Sequence, residues 1–246
     1  MDNADIAHHR FPFGTHFFTT FVIFMYLGIL KIVSNAMKTR SAYSLKKFMM
    51  CYNVYQIVAC IAAMKMYLDS KVAFWELYCP ESRPIDSYIA YNIGFFVYWV
   101  KVSEMSETVV FLLRKKNNQV TPLHVFHHCV TVTFIYVSCA YDFQSGAFLA
   151  VFTNCVVHVL MYLYYLITVL FSKWNLHKIK PLKQALTLIQ IAQFLLMLFH
   201  LLAHQVLGCS YPSFVSIWYA FGYSVFLVLF IDFYRKSYKK TDKKNN

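Results

Sequence analysis

Charge is scarce in this chain. Only 14% of its 246 residues are Asp, Glu, Lys or Arg, while 59% are hydrophobic, against roughly 45–50% in soluble domains. A water-soluble globule of this length has too little interior to hide that much apolar surface, so composition excludes one. Acidic residues are rarer still, 11 against 23 basic ones, for a formal net charge of +12. The seven cysteines contain no Cys-x-x-Cys pair, which removes the common zinc frameworks. There is no Asn-x-Ser/Thr acceptor, no internal repeat and no low-complexity block. The first apolar run is too long for a cleaved signal peptide and lacks a small-residue cleavage site.

What is present instead is a series of apolar runs of about 20 residues. Seven helical spans are expected, at 16–36, 47–68, 89–113, 121–141, 146–170, 184–206 and 212–234. Each is near the length a helix needs to cross about 30 Å of hydrocarbon. No soluble domain remains once they are removed. Residues 1–246 therefore read as one all-α, polytopic transmembrane domain with a short lumenal arm at 1–15 and a basic tail at 235–246.

The positive charge suggests nucleic acid only until its distribution is read. Seventeen of the 23 Lys and Arg fall at 38–47, 114–116, 173–183 and from Arg235 onward. The loops between, 69–88, 142–145 and 207–211, carry only Lys71 and Arg83. This alternation is the positive-inside pattern of a membrane protein, with no nucleic-acid partner. It places the C-terminus in the cytosol and the N-terminus on the opposite face. Cys79 and Cys209 then share the non-cytosolic side, where they are either bridged in an oxidising lumen or two free thiols. The end Lys243-Lys244-Asn245-Asn246 fits a di-lysine retrieval signal of the endoplasmic reticulum membrane.

Polar groups in lipid are expensive, so their depth is informative. Counting from the cytosolic end of each span, Lys101, Glu104 and Glu107 fall about 18, 14 and 9 Å in. His127 falls about 9 Å in, His158 about 20, Tyr162 about 14, and Gln190 and Gln193 about 10 and 15. Helical spacing groups them further. Lys101, Glu104 and Thr108 share a face, as do His124, His127 and His128, then His158, Tyr162 and Tyr165, then Thr187, Gln190 and Gln193. Any one of these has a bland explanation: a structural ion pair, a satisfied core histidine, or glutamine bonding helices together. Four polar stripes at one depth point instead to a shared interior cavity open to the cytosol.

His-x-x-His-His is also a box of membrane di-iron oxygenases, which need about eight histidines on the cytosolic side. Of the ten here, His8, His9, His16, His200 and His204 are lumenal and His177 sits alone in a loop. Four imidazoles without a bridging carboxylate pair are too few for two irons. A single zinc ion would have to draw its histidines from one short helical stretch. The expectation is organic catalysis with no metal.

These stretches resemble a known family. "KVSEMSET" (101–108), "QVTPLHVFHH" (119–128), "NCVVHVLMYLYY" (154–165) and "TLIQIAQF" (187–194) are similar, in order and interval, to the four motifs of the ELO family, the fatty acid elongases of the endoplasmic reticulum. The resemblance runs from about Leu45 to the basic tail. It implies six helices around a closed acyl tunnel, no cofactor, and condensation of a long-chain acyl-CoA with malonyl-CoA to a 3-ketoacyl-CoA, releasing CO2 and CoA. It also implies membrane lipid as surroundings, the ketoacyl-CoA reductase, dehydratase and enoyl reductase of the elongation cycle as partners, and a homo-oligomer as a candidate state.

Imidazole accepts acyl groups near neutral pH because a useful fraction is unprotonated. By match to the second histidine of the family box, His127 is expected to carry the acyl group, with His124 and His128 orienting it. His158 would stabilise the enolate or move a proton, and Lys101 and Glu104 would position these groups. Glu107, Asn154, Tyr162, Tyr165, Gln190, Gln193 and Arg235 are the expected substrate-binding residues. In the first motif Glu107 stands where the family usually has Asp, so its carboxylate reaches one methylene further. A receptor is disfavoured, since neither Asp/Glu-Arg-Tyr ends span three nor Asn-Pro-x-x-Tyr lies in span seven. The alternatives are a membrane di-iron fatty acid desaturase or hydroxylase, and a catalytically inactive lipid-binding paralogue.

Overall fold

The computed structural model describes residues 17–70, 87–140, 144–171, 180–207 and 213–239. The N-terminal arm, Cys79, Cys209 and the di-lysine end lie outside these residues. Every regular element among the described residues is helical: α1 (Phe17–Ala36), α2 (Lys46–Asp69), α3 (Ser87–Glu104), α4 (Ser106–Leu113), α5 (Pro122–Ala140), α6 (Gln144–Leu170), α7 (Lys180–Val206) and α8 (Ser213–Tyr234). A 3-10 turn, Asn117–Gln119, precedes α5, and a π-helical turn, Arg235–Lys239, follows α8. An apolar run has few side chains to satisfy its backbone, so it must bond to itself, and in hydrocarbon the helix does that within one segment.

Among the described residues, six helices are long and apolar enough to cross a membrane: α1, α2, α5, α6, α7 and α8. The expected third span, 89–113, is divided. It is the 18-residue α3 and the 8-residue α4, meeting at Met105. Asn92, Lys101 and Glu104 lower the hydropathy of α3, and the backbone tightens where α3 ends. There the Met105 amide reaches back only to the Val102 carbonyl, at 3.2 Å. Two serines also turn their hydroxyls onto the backbone, Ser103 Oγ to Val100 O at 2.6 Å and Ser106 Oγ to Ser103 O at 2.7 Å. Hydroxyls bonded this way bend helices locally.

The chain divides into two compact units, residues 1–49 with 84–147, and 50–83 with 148–246. In the first, α3 packs on α5, and α1 packs on α4 and α5. Two polar contacts pin α1: Thr19 Oγ1 with Tyr98 Oη at 3.1 Å and Tyr26 Oη with Thr108 Oγ1 at 2.7 Å. The segment after α1 is tied to the end of α4 by the Tyr43 amide on Leu113 O, at 3.0 Å. Helix α4 stops in a Schellman turn: Lys116 N donates to Phe111 O at 2.9 Å, Lys115 N to Leu112 O at 3.0 Å, and Lys115 takes φ 54°.

In the second unit α7 packs along α8. Phe194 meets Phe226 and Phe230 with ring centroids 5.3 and 5.2 Å away. Toward the end of α8, Gln184 Nε2 donates to Tyr234 Oη at 2.7 Å, and Thr187 Oγ1 shares a 3.4 Å bond with Tyr238 Oη of the π-helical turn. Phe148 of α6 packs edge-on against Tyr67 of α2 at 4.6 Å.

Candidate active site

The start of α5 sets the register of the histidine box. Thr121 is its N-cap, accepting the His124 amide on Oγ1 at 3.1 Å. Pro122 follows at the first helical position, where a missing N–H costs nothing. One turn later Thr131 Oγ1 bonds His127 O at 2.9 Å and His128 O at 3.2 Å. Between these two anchors the box residues differ in burial: His128 is buried, at 3% exposure, whereas His124 and His127 are half-buried. The rings lie edge to face, His124 to His128 at 4.5 Å and His127 to His128 at 5.5 Å.

On α3, Lys101 Nζ contacts both Glu104 oxygens, at 2.8 and 3.1 Å. Both side chains are out of solvent, at 4% and 0% exposure. Such a pair needs good geometry to offset desolvation, and a two-oxygen contact supplies it. Glu107, buried on α4, behaves differently. Among the described residues no Lys or Arg pairs with it; a carboxylate oxygen of Glu107 and one ring nitrogen each from His124 and His128 lie within 4.8 Å of one another. The first unit thus brings Lys101 together with Glu104, and Glu107 together with the box.

The second unit holds the rest of the expected set. His158 and Tyr162 are buried on α6, with ring centroids 5.8 Å apart. Tyr165 continues the stripe, 6.1 Å from Tyr162. Gln193 is buried and Gln190 and Asn154 are half-buried. Arg235 is exposed, in the π-helical turn.

Three residues escaped the sequence reading. Tyr26 is buried, hydrogen-bonded to Thr108, and edge-on to His128 at 6.5 Å. It belongs to the first helix, which carries none of the motifs, so nothing linked it to the box. Gln56 is fully buried on α2, and Tyr52 stands edge-on to Tyr162 at 6.0 Å. A glutamine in the middle of an apolar span is itself a signal that could have found Gln56. His200 and His204 of α7 are both buried, with tilted rings whose centroids lie 4.1 Å apart.

Chemically, the first unit offers imidazoles beside the Glu107 carboxyl group and an internally compensated ion pair. The second offers His158 among amides and hydroxyls, with the His200–His204 pair further along α7. A model of the ELO: GNS1/SUR4 family matches residues 11–246. Among curated proteins, the chain is 29% identical to "Very long chain fatty acid elongase 4" of Homo sapiens over 230 residues, covering 92% of this chain and 71% of that protein. It is 33% identical to "Fatty acid elongase 5" of Trypanosoma cruzi over 226 residues, 89% of this chain and 83% of that protein. It is 29% identical to "Very long chain fatty acid elongase 2" of Mus musculus over 224 residues, 90% and 74%.

Proposed function

The chain belongs to the ELO family, and from that premise we propose that it is a membrane-bound condensing enzyme of fatty acid elongation. The reaction joins a long-chain acyl-CoA to malonyl-CoA, giving 3-ketoacyl-CoA, CO2 and CoA. It proceeds through an acyl-histidine. The His127 ring nitrogen attacks the thioester carbonyl, the C–S bond breaks, and CoA leaves as the thiol once it has taken a proton. Malonyl-CoA then loses CO2, and the electron pair of the broken C–C bond becomes an enolate. That enolate attacks the acyl-imidazole carbonyl, the C–N bond breaks, and the departing ring nitrogen takes up a proton from solvent, so that free imidazole returns.

The observation that carries this reading is the capped, partly open histidine box next to buried acid–base groups, in a chain whose relatives bear elongase names. His127, half-buried, is the box histidine assigned the acyl group. His124 and His128 orient it. His158 serves the enolate or the departing proton, and Tyr162, Gln190, Gln193 and Asn154 fix tautomers and substrate without adding charge. The Lys101–Glu104 pair holds a fixed dipole near the reacting groups. Arg235 offers a cation for CoA phosphate.

No metal or redox cofactor enters this chemistry. The reading further implies an acyl tunnel among the helices, the endoplasmic reticulum as its membrane, a cytosolic C-terminus, and the reductases and dehydratase of the cycle as partners. The test is incorporation of radiolabelled malonyl-CoA by membranes bearing the protein, over acyl-CoA primers from about sixteen carbons upward. Wild type should yield labelled 3-ketoacyl product and His127→Ala should not. Equal labelling by both removes His127 as nucleophile; absence of label across every primer favours an inactive lipid-binding relative.

A further inference from the structure

Glu107 stands apart from every other buried acid in the first unit. Glu104 has its charge met by Lys101, at 2.8 Å. Glu107, 6% exposed, meets no basic side chain among the described residues, yet two imidazoles face it from the adjoining helix. The three donor atoms lie within 4.8 Å of one another. His124 Nε2 is buried and has no hydrogen-bond partner among the described residues. Two imidazole nitrogens and a carboxyl oxygen thus converge on one point.

We propose that Glu107, His124 and His128 form a binding site for one divalent transition-metal ion of the zinc type, and that an ion bound there arrests the histidine box. The donor set is two imidazole nitrogens and a carboxylate oxygen, the set that holds zinc with an open fourth position in several hydrolases. Metal–ligand distances of about 2.0–2.2 Å put donors roughly 3.4 Å apart, so side-chain adjustments of the order of 1 Å bring them in. Imidazole selects zinc, copper or nickel over magnesium or calcium. The ion would meet a buried carboxyl group that no Lys or Arg pairs with among the described residues. Tyr26 braces the same corner, bonded to Thr108 and edge-on to His128. The half-buried side of His124, two residues into α5, gives the ion a way in. A bound ion fixes His124 and His128 as ligands, so neither can then orient or relay protons for His127.

Binding does not depend on the proposed reaction; only the arrest rests on it. Full-length protein in detergent, freed of metal with a chelator, is titrated with Co2+ and followed by its visible d–d absorption, with Zn2+ as competitor. Wild type should take up one ion per chain and gain thermal stability from it. Glu107→Gln and His124→Ala should each weaken uptake by about 10–100-fold or more, and Glu107→Asp by less. His200→Ala, which alters the tilted His200–His204 pair on α7, should leave the spectrum unchanged. Uptake that is substoichiometric, that is equal in wild type and Glu107→Gln, or that is lost in His200→Ala overturns the site. Should Glu107→Gln fail to fold, His124→Ala and Glu107→Asp carry the same decision. Malonyl-CoA incorporation should fall in step with Zn2+ occupancy and return on chelation; full occupancy with undiminished turnover overturns the arrest. A chain that binds Co2+ but condenses nothing would sink the elongation reading and leave the site standing.

Discussion

In the first unit the buried polar side chains include Lys101, Glu104, Glu107 and His128; in the second they include Asn53, Gln56, Gln193 and His158, with no Lys, Arg, Asp or Glu among the described residues. Both sets sit in apolar helices, where an uncompensated charge is far more costly than a neutral hydrogen-bonding group. The first unit lowers that cost by pairing Lys101 with Glu104 across one helical turn, at 2.8 Å. The second avoids it by using amides, hydroxyls and the imidazoles of His158, His200 and His204. The contrast is one of charge type: among the described residues the buried Lys and Glu side chains lie on α3 and α4, while α6 and α7 bury imidazoles, amides and hydroxyls.

If that division is right, substitutions in the two units should differ in size and in what they disturb. The largest effect is expected for His127→Ala, which should lower condensation by about 10²–10⁴-fold while leaving the unfolding midpoint close to wild type, read from labelled malonyl-CoA and thermal unfolding on the same preparations. Next, Lys101→Met strands Glu104 in the interior and should cost about 3–5 kcal/mol of stability. The double change Lys101→Met/Glu104→Leu should be much milder. A double variant as unstable as the single one would show that the pair's charge is not what the fold depends on.

Smaller effects probe the supports. Thr121→Ala removes the N-cap of α5 and should cost about 1 kcal/mol. It should also slow condensation, since the box begins three residues later. In the second unit Gln193→Leu should change stability by only about 0.6 kcal/mol, the usual worth of a neutral interhelical contact in lipid. A loss on the scale of the Lys101 variant would erase the distinction between the units.

Much of this was legible in the sequence, for identifiable reasons. Helices α1, α2, α5, α6, α7 and α8 follow apolar runs whose length is dictated by the membrane, so their ends fall within a few residues of expectation. The run at 89–113 looked continuous because hydropathy does not register where a backbone tightens. The interruption at Met105 comes from Ser103 and Ser106 turning back onto carbonyls, a local competition that periodicity cannot see. The histidine box and Lys101–Glu104 were visible because polar groups in lipid stand out and helical spacing groups them. Tyr26 was not, since its importance arises from a helix some 80 residues earlier in the chain packing on α4, and tyrosine in an apolar span is unremarkable.

The Thr121 cap has one more consequence. Only seven residues, 114–120, separate the end of α4 from that cap, and the turn at Lys115 uses a left-handed backbone that resists reshaping. Each residue added to or taken from an α-helix turns whatever follows by about 100°. Moving the starting point of α5 by a single position would therefore swing His127 more than a quarter of the way around its axis. This short connector is a gear of fixed tooth number: changes in its composition are expected to be tolerated, whereas insertions and deletions within it are not.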